Sequence, residues 1–233
     1  MALPKINEFP NYQLTVPSTK QKISYRPFLV KEQKVLLIAM ESQDQSQMLN
    51  AIVNTIDACV TSDIEVSQLA TFDVEYIFTQ IRSKSAGESA KVAIKCEECK
   101  EDTEVNVELD DINIDTDKNK EIKLTDEYTL TMRYPRWSSM IDIDANQETL
   151  TDALYTLAIC CLDTISSEEE QIKFDDETEE EKNSFLENLT GDQFKVVMEF
   201  VNDLPKLTKN VEFNCGKCNH LNNITLTGMN DFF

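Results

Sequence analysis

Two cysteine pairs with the same spacing, Cys96-Glu97-Glu98-Cys99 and Cys215-Gly216-Lys217-Cys218, are the residues of this chain best suited to chemistry. Thiolate sulfur ligates metals, acts as a nucleophile when its pKa is depressed, and forms disulfides in oxidising compartments. The flanks narrow the choice. Lys91 to Lys95 alternates in polarity before the first pair, and Glu104 to Leu109 alternates after it. Lys209 to Asn214 and Asn223 to Thr227 do the same around the second pair. Each segment therefore reads as a hairpin whose tip carries two thiols. A structural zinc takes four ligands in a tetrahedron, so two hairpins brought together supply one four-thiolate site for Zn2+ from Cys96, Cys99, Cys215 and Cys218. Two disulfides, or free thiols, are the alternative reading. A redox pair is disfavoured, because neither motif opens a helix after a buried strand.

A shared ion would close the 115-residue gap between Cys99 and Cys215, and clipping distant segments together stabilises the folded state. His220, the single histidine, reads as an exposed turn residue rather than a ligand. The other cysteines read as core. Cys59 continues the helical spacing Met48, Ile52, Ile56, and Cys160 and Cys161 lie in the apolar stretch Leu154 to Leu162. Seven cysteines without a signal peptide point to a reducing cytoplasm.

The elements that must position these thiols follow from periodicity and breakers. Tyr12 to Val16 and Lys22 to Tyr25 alternate around Pro17-Ser18-Thr19 and predict a hairpin. A helix follows over Lys31 to Ser42 with Val35, Leu36 and Ala39 as its apolar side, then a second, capped by Asp44, to about Val60. A third is capped by Thr71 or Ser67, carries Phe72, Tyr76, Ile77, Phe78 and Ile81, and ends at Gly87. Asp110 to Lys120 is an acidic connector. Ile122 to Leu124 and Tyr128 to Tyr134 form strands closed by Pro135-Arg136-Trp137. Helices resume at Gln147 to Asp163 and between Thr178 and Asp203, and Pro205 stops the last. Between them, nine of the sixteen residues from Ser166 to Glu181 are acidic, a solvated loop in which Gln171 to Phe174 forms a short exposed strand.

The expected fold is α+β: a helical core with antiparallel hairpins, two of which form a split zinc-ribbon-like unit. Its segments are 1–88 (N-terminal hairpin and helices), 89–110 (first zinc hairpin), 111–145 (connector and strands), 146–208 (helices with the acidic loop) and 209–233 (second zinc hairpin and tail).

Composition excludes several functions. The longest apolar runs fall far short of the ~20 residues that cross a bilayer, so no membrane role is expected. A formal charge of −21, from 43 acids against 22 bases, repels a phosphate backbone, and Glu97, Glu98, Glu101 and Asp102 flank the first cysteine pair. Neither nucleic acid nor membrane is an expected partner; basic protein surfaces are. Four glycines and one histidine leave no phosphate loop and few acid–base pairs, so no enzymatic activity is expected.

Three further stretches carry a resemblance. Tyr25 to Ser42 (YRPFLVKEQKVLLIAMES), Phe72 to Glu88 (FDVEYIFTQIRSKSAGE) and Leu226 to Phe233 (LTGMNDFF), with the two Cys-x-x-Cys hairpins in this order, resemble the baseplate hub protein family of T4-like tailed phages. The resemblance implies a late viral protein without catalytic chemistry. It would serve as a hub subunit or assembly factor (a chaperone) of the contractile-tail baseplate, contacting other hub and tail proteins. Its place would be the host cytoplasm during assembly or the virion baseplate. A zinc-ribbon adaptor of transcription is the alternative, and a basic face would favour it. Two packing expectations complete the reading. Arg82 to Glu88 and Tyr25 to Glu41 pack near each other or near a partner, and Phe232 and Phe233 dock rather than hang free.

Overall fold

The computed structural model describes residues 9–109, 112–146 and 149–232. In chain order its elements are β1 (Tyr12–Thr15), β2 (Lys22–Tyr25), α1 (Val30–Ser42), α2 (Gln45–Cys59), α3 (Thr71–Ala86), β3 (Ser89–Lys95), β4 (Asp102–Glu108), β5 (Asn113–Ile114), β6 (Glu121–Lys123), β7 (Thr129–Met132), α4 (Trp137–Asn146), α5 (Leu150–Cys160), β8 (Leu162–Ser166), β9 (Gln171–Lys173), α6 (Glu179–Glu187), α7 (Gly191–Asn202), β10 (Leu207–Asn214) and β11 (Leu221–Thr227). The class is α+β, with seven helices among the described residues and four small antiparallel sheets, ordered β1-β2, β3-β4, β11-β10-β5 and β6-β7-β8-β9. The chain divides into two compact units. The first comprises residues up to Val66, Phe72–Ile114 and Lys206 onward; the second comprises Ser67–Thr71 and Asp115–Pro205.

The first unit is built around α3. Phe72, Val74, Ile77, Phe78 and Ile81 are buried on it, but so are Asp73, Thr79 and Ser83. A helix covered on nearly every side is a core element rather than an amphipathic surface one. Buried Asp73 is held by the β1–β2 turn, where the Ser18 amide donates to Oδ1 at 2.9 Å and the Ser18 hydroxyl to Oδ2. Gly87, at φ +116°, ends the helix in a conformation that side chains rarely adopt. As expected, Asp44 caps α2 through the Gln47 amide at 3.0 Å, and Cys59 is buried. The two recognisable stretches meet inside the chain: the Phe28 amide donates to Ser85 Oγ at 2.9 Å, beside Lys84 over the Tyr12 ring.

One local reading in this unit needs correction, and another gains detail. On α1 the buried side is Glu32, Leu36 and Ala39, whereas Val35 is exposed. Glu32 takes the inner position because Arg26 meets it at 3.0 Å and the Leu29 amide donates to it at 2.8 Å. Burial acts to raise the Glu32 pKa, but these partners outweigh it and hold the carboxyl below its usual range. The acidic connector also contributes a short strand. Its Asn113 and Ile114 pair with Thr208 and Leu207 as β5, a two-residue strand too short to show a period of its own. Asp110 and Asp111 lie outside the described residues.

The C-terminus docks internally. After Gly228, whose amide donates to Leu207 O at 2.8 Å, Met229–Phe232 makes a single 3-10 turn that leaves Phe232 fully buried. Phe233 lies outside the described residues. The Met229 amide donates to the carboxylate of Glu75 on α3. Burial lifts Glu75 to about 7, opposed by that amide and by Lys206. A pKa raised from about 4.5 favours folding while the group is protonated, and that contribution is lost as pH rises through about 7. Glu75→Gln keeps the acceptor and removes the charge. It is expected to raise Tm by roughly 2–4 °C at pH 8, equivalent to about 1 kcal/mol in a chain of this size, and hardly at all at pH 5. Thermal melts at the two pH values check this; an equal shift at both would refute it.

In the second unit β7 is central, with Leu130 and Met132 buried against Leu162 of β8. Here the helical reading fails at both ends of one segment. Trp137–Asn146 is a helix where the sequence pattern suggests only the close of a strand pair. Its first amide, on Trp137, donates to Leu69 O at 2.9 Å. The next helix ends at Cys160, and Leu162–Ser166 is a strand, because the Cys161 amide caps α5 and the chain then pairs with Thr129 to Met132. Gln147 and Glu148 lie outside the described residues. The region between Thr178 and Asp203 is two helices broken at Asn188 to Thr190. Thr178 and Thr190 each form a reciprocal cap, with Glu181 and Gln193.

The acidic stretch is anchored rather than looped throughout. Gln171–Lys173 is an exposed strand, as expected. Phe174 after it is buried against Phe185, with ring centres 5.0 Å apart. Asp175 bridges Arg133 at 2.6 Å and Arg136 at 3.1 Å, and these guanidiniums, Arg133 first, hold its carboxyl below the usual range.

Candidate metal centre

The two cysteine hairpins are built alike. In each, the first cysteine's amide closes the turn, Cys96 onto Glu101 O and Cys215 onto His220 O, both at 2.9 Å. The first cysteine's carbonyl then accepts from Lys100 at 3.0 Å or Asn219 at 2.9 Å, and both of these residues have φ 59°. Register matches too: Ile94 pairs with Thr103, and Phe213 with Asn222. Ile94 and Phe213 are buried two residues before their cysteines, and Val107 and Leu226 are buried eleven residues after them. The repeat legible in the sequence is therefore a repeat in three dimensions.

The turns bring all four sulfurs within 4.8 Å of one another, and this cluster could hold a metal ion. The shortest separations cross between hairpins: Cys96 to Cys218 and Cys99 to Cys215, each 3.6 Å. A disulfide needs about 2.0 Å. A tetrahedron with zinc–sulfur bonds of about 2.3 Å has edges of about 3.8 Å. The spacing suits four thiolates around one ion.

Backbone amides prepare two of the thiols for ionisation. Those of Cys218 and Lys217 draw Cys215 down to about 6. The Cys99 amide, with further bonds from Glu98 and Asn222, lowers Cys96. Cys218 is pushed up to about 12. The His220 amide favours its thiolate, but desolvation and the sulfurs of Cys99, Cys215 and Cys96 overcome that. The protein favours the first charges and resists the last, which a dication would compensate.

Two supporting residues escaped the sequence reading. Asn222 is fully buried; its Oδ1 accepts from the Glu97 amide at 2.8 Å across the hairpins, and its Nδ2 donates to His220 O at 3.0 Å. Thr103 Oγ1 lies 3.9 Å from Cys215 Sγ. Both stand seven residues after the first cysteine of their own hairpin, and each reaches toward the other hairpin. That shared offset was the available signal. Lys217 Nζ adds a cross-hairpin ion pair to Glu101 at 3.0 Å. His220 is exposed in the turn, as expected.

The remaining cysteines take no part in this cluster. Burial pushes Cys59 up to about 11 and raises Cys161 further still, which suits small core residues. Cys160 is half-buried.

These features define an α+β protein whose middle and C-terminal hairpins are repeats of one another, joined at a four-cysteine cluster. The family described as "T4 bacteriophage base plate protein" matches residues 9–233, and the chain belongs to it; this is a phage baseplate protein. Among the curated proteins and among the solved structures, none matches.

Proposed function

We propose that this chain acts without catalysis in the hub of a contractile-tail baseplate, as a hub subunit or hub assembly factor, through contacts with other hub and tail proteins. The observation that carries this reading is the family match over nearly the whole chain. Other features support it. The charge of −21 disfavours nucleic acid, and at the cysteine turns Lys217 is engaged by Glu101. Among the described residues no helix is long and apolar enough to cross a membrane. Glu75, whose raised pKa would suit an acid catalyst, is occupied by the tail amide. Mass spectrometry of purified virions and of isolated hub intermediates tests the role. A fixed copy number in virions identifies a subunit, and presence only in intermediates identifies an assembly factor. Absence from both sinks the proposal.

In the same reading Cys96, Cys99, Cys215 and Cys218 hold one structural zinc ion, joining the split ribbon. Asn222→Ala is expected to weaken zinc roughly 10–100-fold, as loss of outer-shell support commonly does, with a cost of about 1–2 kcal/mol for the broken bridge. Competition with a chromophoric chelator measures the first quantity; an unchanged affinity would remove Asn222 from the site.

A further inference from the structure

The outer face of α1 is the least expected surface on the molecule. Opposite its buried Glu32, Leu36 and Ala39 stand Val30 at 80% exposure, Leu37 at 50% and Ile38 at 54%, with Met40 at 57% to one side. Lys34 and Glu41 are exposed on the same face. Neither has an ion-pair partner among the described residues. Lys34, Leu37, Ile38 and Glu41 follow the i, i+3, i+4, i+7 spacing of a helix contact stripe.

The order of these residues is self-complementary. If a second α1 is laid antiparallel about a two-fold axis passing between Leu37 and Ile38, Lys34 falls opposite the partner's Glu41. Glu41 falls opposite the partner's Lys34, and Leu37 and Ile38 gather around the axis with their counterparts from the partner. A two-fold contact requires this reciprocity. The location also suits two copies of so acidic a chain. Residues 1–62 hold six of the 22 bases but only five of the 43 acids, so this stretch escapes the net repulsion of the remainder.

We propose that α1 is a homodimerisation helix, pairing antiparallel with α1 of a second copy through Leu37 and Ile38 and reciprocal Lys34–Glu41 ion pairs. Thirteen residues make a helix only about 20 Å long, and one such pair buries less than the roughly 1,200 Å² of a standard interface. The dimer is therefore weak and forms where copies are concentrated. The inference rests on neither the zinc site nor the hub role.

Sedimentation velocity of the full chain in reducing buffer, from a few to several hundred micromolar, tests it with two charge reversals. The wild type is expected to shift from monomer to dimer across that range. Lys34→Glu and Glu41→Lys, both at exposed positions, are each expected to weaken association at least tenfold while circular dichroism stays unchanged. Mixed in equal amounts, they should recover it, because the two acids on the stripe of one variant then face the two lysines on the stripe of the other. A wild type that remains monomeric overturns the proposal and leaves the face to a different protein. So do single variants that dimerise like the wild type, or a mixture that fails to associate.

Discussion

Replacing Cys96 with serine is expected to loosen two hairpins rather than one. The hairpins containing β3-β4 and β10-β11 meet through cross-hairpin sulfur pairs at 3.6 Å and the Asn222 bridge to Glu97. A structural zinc held by four thiolates contributes about 10–16 kcal/mol of apparent binding free energy, comparable to the whole stability of a typical domain. Removing one ligand should lower bound zinc from about one ion per chain to well below that and cost several kcal/mol. Hydrogen exchange supplies the decisive readout. Amides of Ser89–Lys95 and Asp102–Glu108 should lose protection together with those of Leu207–Asn214 and Leu221–Thr227. If only the first hairpin loosens, or if the variant retains one ion per chain, the sulfurs do not share a metal.

The second large effect is expected at the other end of the chain. Phe232 is fully buried, and its turn contacts β3 and β11 as well as offering the Met229 amide to Glu75. Phe232→Ala removes a large apolar group and leaves a cavity, a change that costs about 3–5 kcal/mol and should lower Tm by roughly 10 °C. Freeing the tail should also expose Glu75 and return its pKa toward the ordinary carboxylate range, so the stabilisation by Glu75→Gln at pH 8 should shrink in the double variant. Urea unfolding of the single and double variants measures both effects. A Phe232→Ala protein that unfolds like the wild type would make the tail a passive end.

Much of the candidate site was legible from residue types alone. The two Cys-x-x-Cys pairs, the alternation of their flanks and the equal spacing of the repeats define the turns, because a hairpin tip is a local structure governed by nearby residues. Local chemistry also placed the β1–β2 hairpin, the Asp44 cap and the end of α3 at Gly87. The readings that failed share a cause. Periodicity points Val35 inward because it reports apolarity and not partners, and Arg26 with the Leu29 amide makes Glu32 the buried residue instead. Leu162 ends an apolar stretch that fits a helix, yet its pairing with Met132 of β7 draws it into a sheet. The helix at Trp137–Asn146 was hidden by short side chains and an Ile141–Ile143 alternation that mimics a strand.

The sequence by itself determined the cysteine turns, the α+β class and the likeness to a baseplate family, because each depends on residue types at fixed, mostly short, spacings. Only the tertiary structure decided which groups meet across long separations. It placed Cys96 beside Cys218, 122 positions apart, Glu97 on Asn222, 125 apart, and Ser18 on Asp73, 55 apart. It also turned the tail inward onto Glu75 and left the apolar face of α1 uncovered. The repeated spacing pointed to a meeting of the two cysteine pairs but not to which groups pair there, since the closure of long loops and the competition for burial are settled by the whole fold at once.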